Sequence, residues 1–167
     1  MSVSEHRAAA PERLRFAVLT VSDTRTIETD EGGALACELI AARFHEVTRR
    51  DILRDDPPAV RAWVIETSAR ADVDVVVLTG GTGFARRDAT PDALAGLFDP
   101  PIPGFAELFR MLSFAEVGAA AMLSRACAGV VAGKPVFALP GSPSAVRLAL
   151  TRLILPDAAH LFSQLCR

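Results

Sequence analysis

Short aliphatic, β-branched runs alternate along the chain with longer segments whose apolar positions recur at helical spacing. Residues 16–21 form such a run, the pattern of a strand buried on both faces of a parallel sheet. Asp30 is placed to cap a helix over about residues 32–44, where Leu35, Leu39 and Ile40 fall at helical spacing. Residues 47–53 read as a second strand, interrupted by Arg49 and Arg50. Pro57 and Pro58 open a second helix that puts Val60, Trp63, Val64 and Thr67 on one face. Residues 73–78 give the clearest strand signal, and they run straight into the glycine-rich stretch 79–83. Thr90, Pro91 and Asp92 predict a third helix start, with Thr90 as cap and Pro91 in the first position. Asp92 supplies an acid near the positive end of that helix.

Residues 104–113 and 114–123 read as two further helices. Residues 126–131 and 136–139 predict short strands joined as a hairpin through Ala132, Gly133 and Lys134. Ser142 and Pro143 repeat the cap-and-proline start, for a helix over about residues 144–155 that Pro156 is expected to break, with a short terminal helix after it. Alternating strands and helices imply βαβ units. The expected class is therefore α/β, a three-layer αβα sandwich with a mostly parallel sheet. A length of 167 residues suits one domain. That domain is expected over residues 14–167, behind a flexible tail at 1–13.

Composition narrows the function. Hydrophobic residues make up 50% and charged residues 23%, as in a compact globule and unlike a disordered chain. A formal net charge of −2 argues against a general nucleic-acid binder, which needs a basic surplus for phosphate contacts. No apolar run approaches the roughly 18 residues of a membrane helix, and the N-terminal stretch lacks the apolar core of a secretory signal. A cytoplasmic protein is expected, without membrane or nucleic-acid partners. Cys37, Cys127 and Cys166 are scattered, which suggests neither a disulfide framework nor a zinc site. His6, His45 and His160 show no metal-ligand spacing.

Ligands of open parallel sheets bind beyond the carboxyl ends of the strands. The loops expected there hold Ser22 and Asp23, residues 79–88, and Pro140, Gly141 and Ser142. In the middle loop Gly80, Gly81 and Gly83 allow close approach of backbone amides to an anion, beside the Thr82 hydroxyl. Arg86 and Arg87 add positive charge, and Asp88 is a carboxylate among groups suited to anions. A bridging cation such as Mg²⁺ would reconcile that acid with a phosphate. The same glycines also serve as plain turn formers, and the Arg and Asp residues as a solvated cluster. The loop lacks the lysine of a P-loop and the last glycine of a dinucleotide fingerprint. Asp55 and Asp56 precede Pro57; one is explained as a helix cap, and the other is left to face the sheet end.

The stretch 79–92 resembles the signature T-G-G-T-G-x-x-x-x-D-x-T-P-[DE] of the MoaB/MogA proteins, a domain shared with gephyrin and the plant Cnx proteins. The resemblance extends over Thr20 to Asp23, Pro103 to Phe105, Phe109 and Arg110, Leu123 to Ala126, and Pro140 to Ser142. Residues 109–114 are closer to MoaB, while Ala85 to Asp88 is similar to the catalytically competent MogA pattern. The resemblance implies molybdenum cofactor biosynthesis and a molybdopterin adenylyltransferase that uses Mg·ATP and releases pyrophosphate. It places Asp88 and Asp55 as catalytic acids and metal ligands. Ser22, Asp23, Gly80, Gly81, Thr82, Gly83, Arg86, Ser124, Pro140, Gly141 and Ser142 are expected to bind the substrates. It further implies a homo-oligomer, a trimer or a dimer of trimers, with a downstream molybdate-insertion enzyme as the receiver of the product. The alternatives are a non-catalytic molybdopterin carrier with the same pocket, or a scaffold module that uses the apolar stretch 104–123 as a contact surface. Phe84 stands where the family often has Pro or a smaller aliphatic residue, and Arg54 where it often has Pro, which leaves the choice between Asp55 and Asp56 open.

Overall fold

In the computed structural model, residues 11–166 are described; residues 1–10 of the expected tail, His6 among them, and Arg167 lie outside them. The chain enters the domain at Arg13, which pairs with Glu46 at 3.0 Å, and at Leu14, whose amide donates to His45 Nδ1.

Among the described residues, the sheet has five strands in the order β2-β1-β3-β5-β4. They are β1 (Arg15–Val21), β2 (Glu46–Leu53), β3 (Val75–Thr79), β4 (Cys127–Val131) and β5 (Lys134–Leu139). All neighbours pair in parallel except β4 with β5. The helices are α1 (Glu31–Ala41), α2 (Pro57–Ser68), α3 (Thr90–Leu94), α4 (Pro103–Val117), α5 (Pro143–Ala149) and α6 (Leu155–Leu165).

Strand alternation divides the core between the two faces of the sheet. Phe16 and Val18 of β1 pack with Ala36 and Ile40 of α1, Phe105 and Phe109 of α4, and Val146 of α5. Ala17, Leu19 and Val21 point the other way, against Val60, Trp63 and Val64 of α2 and Leu94 of α3. The result is the expected three-layer α/β sandwich. Among the described residues, no helix is long and apolar enough to cross a membrane.

Several local expectations change. Strand β3 begins at Val75, and just ahead of it the Asp74 side chain accepts from the amide and guanidinium of Arg15. Residues 103–117 form one helix and not two; Gly118, at φ 62°, ends it, and a 3₁₀ turn over Gly118–Leu123 follows. The hairpin turn is shorter than predicted: Val131 pairs directly with Lys134, so Ala132 and Gly133, at φ 50° and 74°, make a two-residue turn. The expected terminal helix is α6, but no break separates it from α5, and Pro156 lies in its first turn. A π segment over Leu150–Ile154 precedes it, with Leu155 N donating to Leu150 O, and this widened turn carries the chain past the missing proline N–H. Thr90 does not cap α3; it lies in the first turn and donates through Oγ1 to Gly80 O at 3.0 Å.

Candidate functional site at the strand ends

The chain runs from β1 outward to β2 and then crosses back to β3 on the other side of β1. This makes a switch point between β1 and β3, where ligands of open α/β sheets collect. The loops after β1, β2, β3 and β5 all meet there.

Close approach of main chains demands glycine at this point. Gly80 has φ 95°, and a Cβ on it would lie 2.2 Å from Val21 O. Gly81 has φ 65°, and a Cβ there would meet Thr90 Oγ1 at 2.3 Å and Asp55 Oδ2 at 3.0 Å. The glycine loop therefore lies directly on Asp55 and on the first turn of α3. Asp88 folds back beneath the same loop, accepting from Ala85 N at 3.0 Å, with Oδ2 2.7 Å from where a Gly83 Cβ would stand.

The adjacent acids separate cleanly. Asp55 accepts from Ala89 N at 3.2 Å and lines a small cleft with Ser22, Asp23, Thr24, Gly81, Arg87 and Asp88. Asp56 is the exposed N-cap residue of α2 and makes no side-chain cap bond. Asp55 N donates in turn to Asp23 Oδ1 at 3.3 Å, so three acidic residues border one cleft of about 120 Å³. Burial pushes the Asp55 carboxyl above its ordinary value; the charges of Asp88 and Asp23 add to that, against the Ala89 amide and Arg87. The oxygen donors of this cleft suit Mg²⁺, which is held by one or two carboxylates together with phosphate oxygens. Among the described residues, no group of three or more His, Cys, Asp or Glu is arranged to hold a metal ion alone.

Two further clefts adjoin the acidic one. The first is lined by Thr20, Ser22, Arg25, Asp30, Gly80 and Gly141, among others. Asp30 is its buried floor: it caps α1 through Gly33 N at 2.9 Å and accepts from Thr20 Oγ1 at 2.7 Å and Arg50 at 3.1 Å. Arg50, an apparent interruption in a strand pattern, is there to pair with it. The second cleft, about 240 Å³, lies between α4, the 3₁₀ turn and α5. Thr82, Gly83, Ser124, Pro140 and Ser142 form its polar rim, and Phe109, Val117, Leu123 and Leu148 its apolar wall. Ser142 also caps α5 through Ala145 N, as expected.

The structure thus gathers Asp55, Asp88, Ser22, Asp23, Gly80, Gly81, Thr82, Gly83, Ser124, Pro140, Gly141 and Ser142 around three contiguous clefts. Arg86 is exposed and lines none of them; the neighbouring Arg87 takes the place beside the acids. Residue spacing alone does not choose between two consecutive arginines on an irregular loop. Sequence reasoning also missed Arg125, whose side chain and amide bond to Thr82, Gly83, Asp88 and Asp92; its only signal was its place in the stretch Leu123 to Ala126. Neither Cys37 nor Cys127 lines these clefts; burial raises the Cys37 thiol and pushes Cys127 up to about 11.

Comparison with known proteins agrees with this geometry. Residues 17–160 match the family described as probable molybdopterin binding domain. Molybdenum cofactor biosynthesis protein B of Halalkalibacterium halodurans is 47% identical over 168 aligned residues, covering 100% of this chain and 99% of that one. A crystal structure of a molybdenum cofactor biosynthesis protein B superposes with a TM-score of 0.91 at 46% identity, covering 95% of this chain and 99% of its own. The tungsten cofactor synthesizing protein MoaB of Pyrococcus furiosus gives 0.84 at 36% identity, over 95% and 100%. With the fold, the strand-end clefts and relatives of this identity in agreement, the chain belongs to the MoaB/MogA family of molybdopterin-binding-domain proteins.

Proposed function

We propose that this chain acts in molybdenum cofactor biosynthesis as a molybdopterin adenylyltransferase, converting molybdopterin and ATP into adenylyl-molybdopterin and pyrophosphate. One observation carries the reading: Asp55 and Asp88 lie together under a glycine loop, at a sheet end that also offers hydroxyls and Arg87. In the reaction a terminal phosphate oxygen of molybdopterin forms a bond to the α-phosphorus of ATP, and the bond to pyrophosphate breaks. Such a transfer asks a protein mainly for positioning and charge neutralisation.

Asp55 and Asp88 are the residues that would hold Mg²⁺, which when bound supplies positive charge to the triphosphate. Arg87 faces the same phosphates from the loop. Ser22 and Asp23 hydrogen-bond the reacting groups near the switch point. The wider cleft, with Ser124 and Ser142 on its rim and an apolar wall, takes the flat pterin. Leu108, Met111, Phe114, Val117, Met122 and Leu123 are each about half exposed or more along α4 and the 3₁₀ turn. An apolar row of this kind supports subunit packing, in a trimer or a dimer of trimers. The chain is taken to work in the cytoplasm and to pass its product to a molybdate-inserting enzyme.

The reading is tested by incubating purified protein with molybdopterin, Mg²⁺ and ATP. Product from the wild type and none from Asp88→Ala supports it. Tight pterin binding without product from the wild type points instead to a non-catalytic carrier.

A further inference from the structure

Arg125 stands just before β4, yet its side chain reaches across to the loop after β3 and to the first turn of α3. Nε donates to Gly83 O at 2.9 Å, Nη2 to Asp88 O, and Nη1 to Asp92 Oδ2 at 3.1 Å. Its own amide donates to Thr82 O at 3.0 Å. The guanidinium also lies 5.3 Å from the centroid of the Phe84 ring. Phe84 is 68% exposed, so core packing does not account for this aromatic residue; the ring covers the cation instead.

These anchors enclose residues 82–92 and grip the main chain of Asp88 itself. The Asp88 side chain is left to fold under Gly83. A planar fork can hold several acceptors at fixed directions, which a lysine ammonium, a single point charge, cannot do. We propose that Arg125, covered by Phe84, is a positioning residue that fixes the Asp88 carboxylate through the main chain of its loop. The effect on turnover rests on the adenylyltransferase reading; the effect on the loop does not.

The test compares Arg125→Lys and Phe84→Leu with the wild type by two readouts. In the ligand-free protein, hydrogen exchange of amides 82–92 should quicken by about tenfold in Arg125→Lys, with β1 and β3 unchanged. In Phe84→Leu, which alters an exposed residue, the same amides should quicken by about threefold. In turnover, kcat of Arg125→Lys should fall on the order of 100-fold while KM for molybdopterin stays within about twofold, as a misplaced catalytic group requires. Wild-type exchange in 82–92 in both variants would overturn the proposal, as would full turnover in Arg125→Lys, which would reduce the role to charge alone. Should Arg125→Lys loosen the whole sheet, the localised change in Phe84→Leu decides: its presence supports the clamp and its absence overturns it. Loosening of 82–92 in a protein whose wild type forms no product would sustain the clamp and refute the adenylyltransferase reading.

Discussion

Ala89 N donates to Asp55 Oδ1 at 3.2 Å, tying the acid after β2 to the loop that carries Asp88. Through this bond two segments far apart in sequence present their carboxylates to one cleft. It also separates Asp55 from Asp56, which stays with α2.

Asp55 should trade stability for activity. Its folded pKa is raised, so its favourable contribution is full below the ordinary value of 3.8 and is lost as pH rises through the raised value. Asp55→Asn keeps an acceptor for Ala89 N and removes the charge. At pH 7 its Tm should rise, and the gain should vanish in acid below 3.8. Turnover should be lost in the same variant. Thermal melts at both pH values check this; an equal loss of Tm at each would contradict it.

Asp74 behaves in the opposite sense. Burial alone would raise its carboxyl, but the Arg15 fork and amide, with Lys134, hold it below 3.8. Its stabilisation is present above that ordinary value and is lost as pH falls through the folded one. Asp74→Asn should cost about 1–3 kcal/mol at pH 7. Arg15 is 42% exposed and screened by water, which places the cost toward the lower end. Urea unfolding should show the deficit shrinking in acid, and a constant deficit would refute the assignment.

The apolar row on α4 should govern assembly. Phe114 is 64% exposed, so Phe114→Glu spares the monomer core while placing a charge in the proposed contact. Sedimentation should show an oligomer for the wild type and a smaller species for the variant, at equal helical content. A monomeric wild type would remove the interface.

Legibility from sequence followed the locality of the signal. The strands were readable because burial on both faces writes continuous apolar runs such as Val75 to Leu78, and α2 because Val60, Trp63, Val64 and Thr67 keep one face. The end of α4 at Gly118 was missed, since a positive φ at one glycine is set by the path of the following turn. Pro156 misled because a π segment compensates for it, and nothing in composition announces that turn. In the site, small residues at strand ends were legible from the parallel-sheet rule. Arg87 and Arg125 were not, because an irregular loop has no period and Arg125 reaches it from another element. Arg50 looked like a flaw in β2 until Asp30 supplied its partner.

The most direct measurement of the central claim is formation of adenylyl-molybdopterin by purified protein with molybdopterin, Mg²⁺ and ATP, beside Asp88→Ala. Asp88 lies under the glycine loop and carries none of the core, so the variant should fold and still bind molybdopterin. The account predicts product from the wild type and at least about 100-fold less from the variant. Full turnover by Asp88→Ala would contradict it.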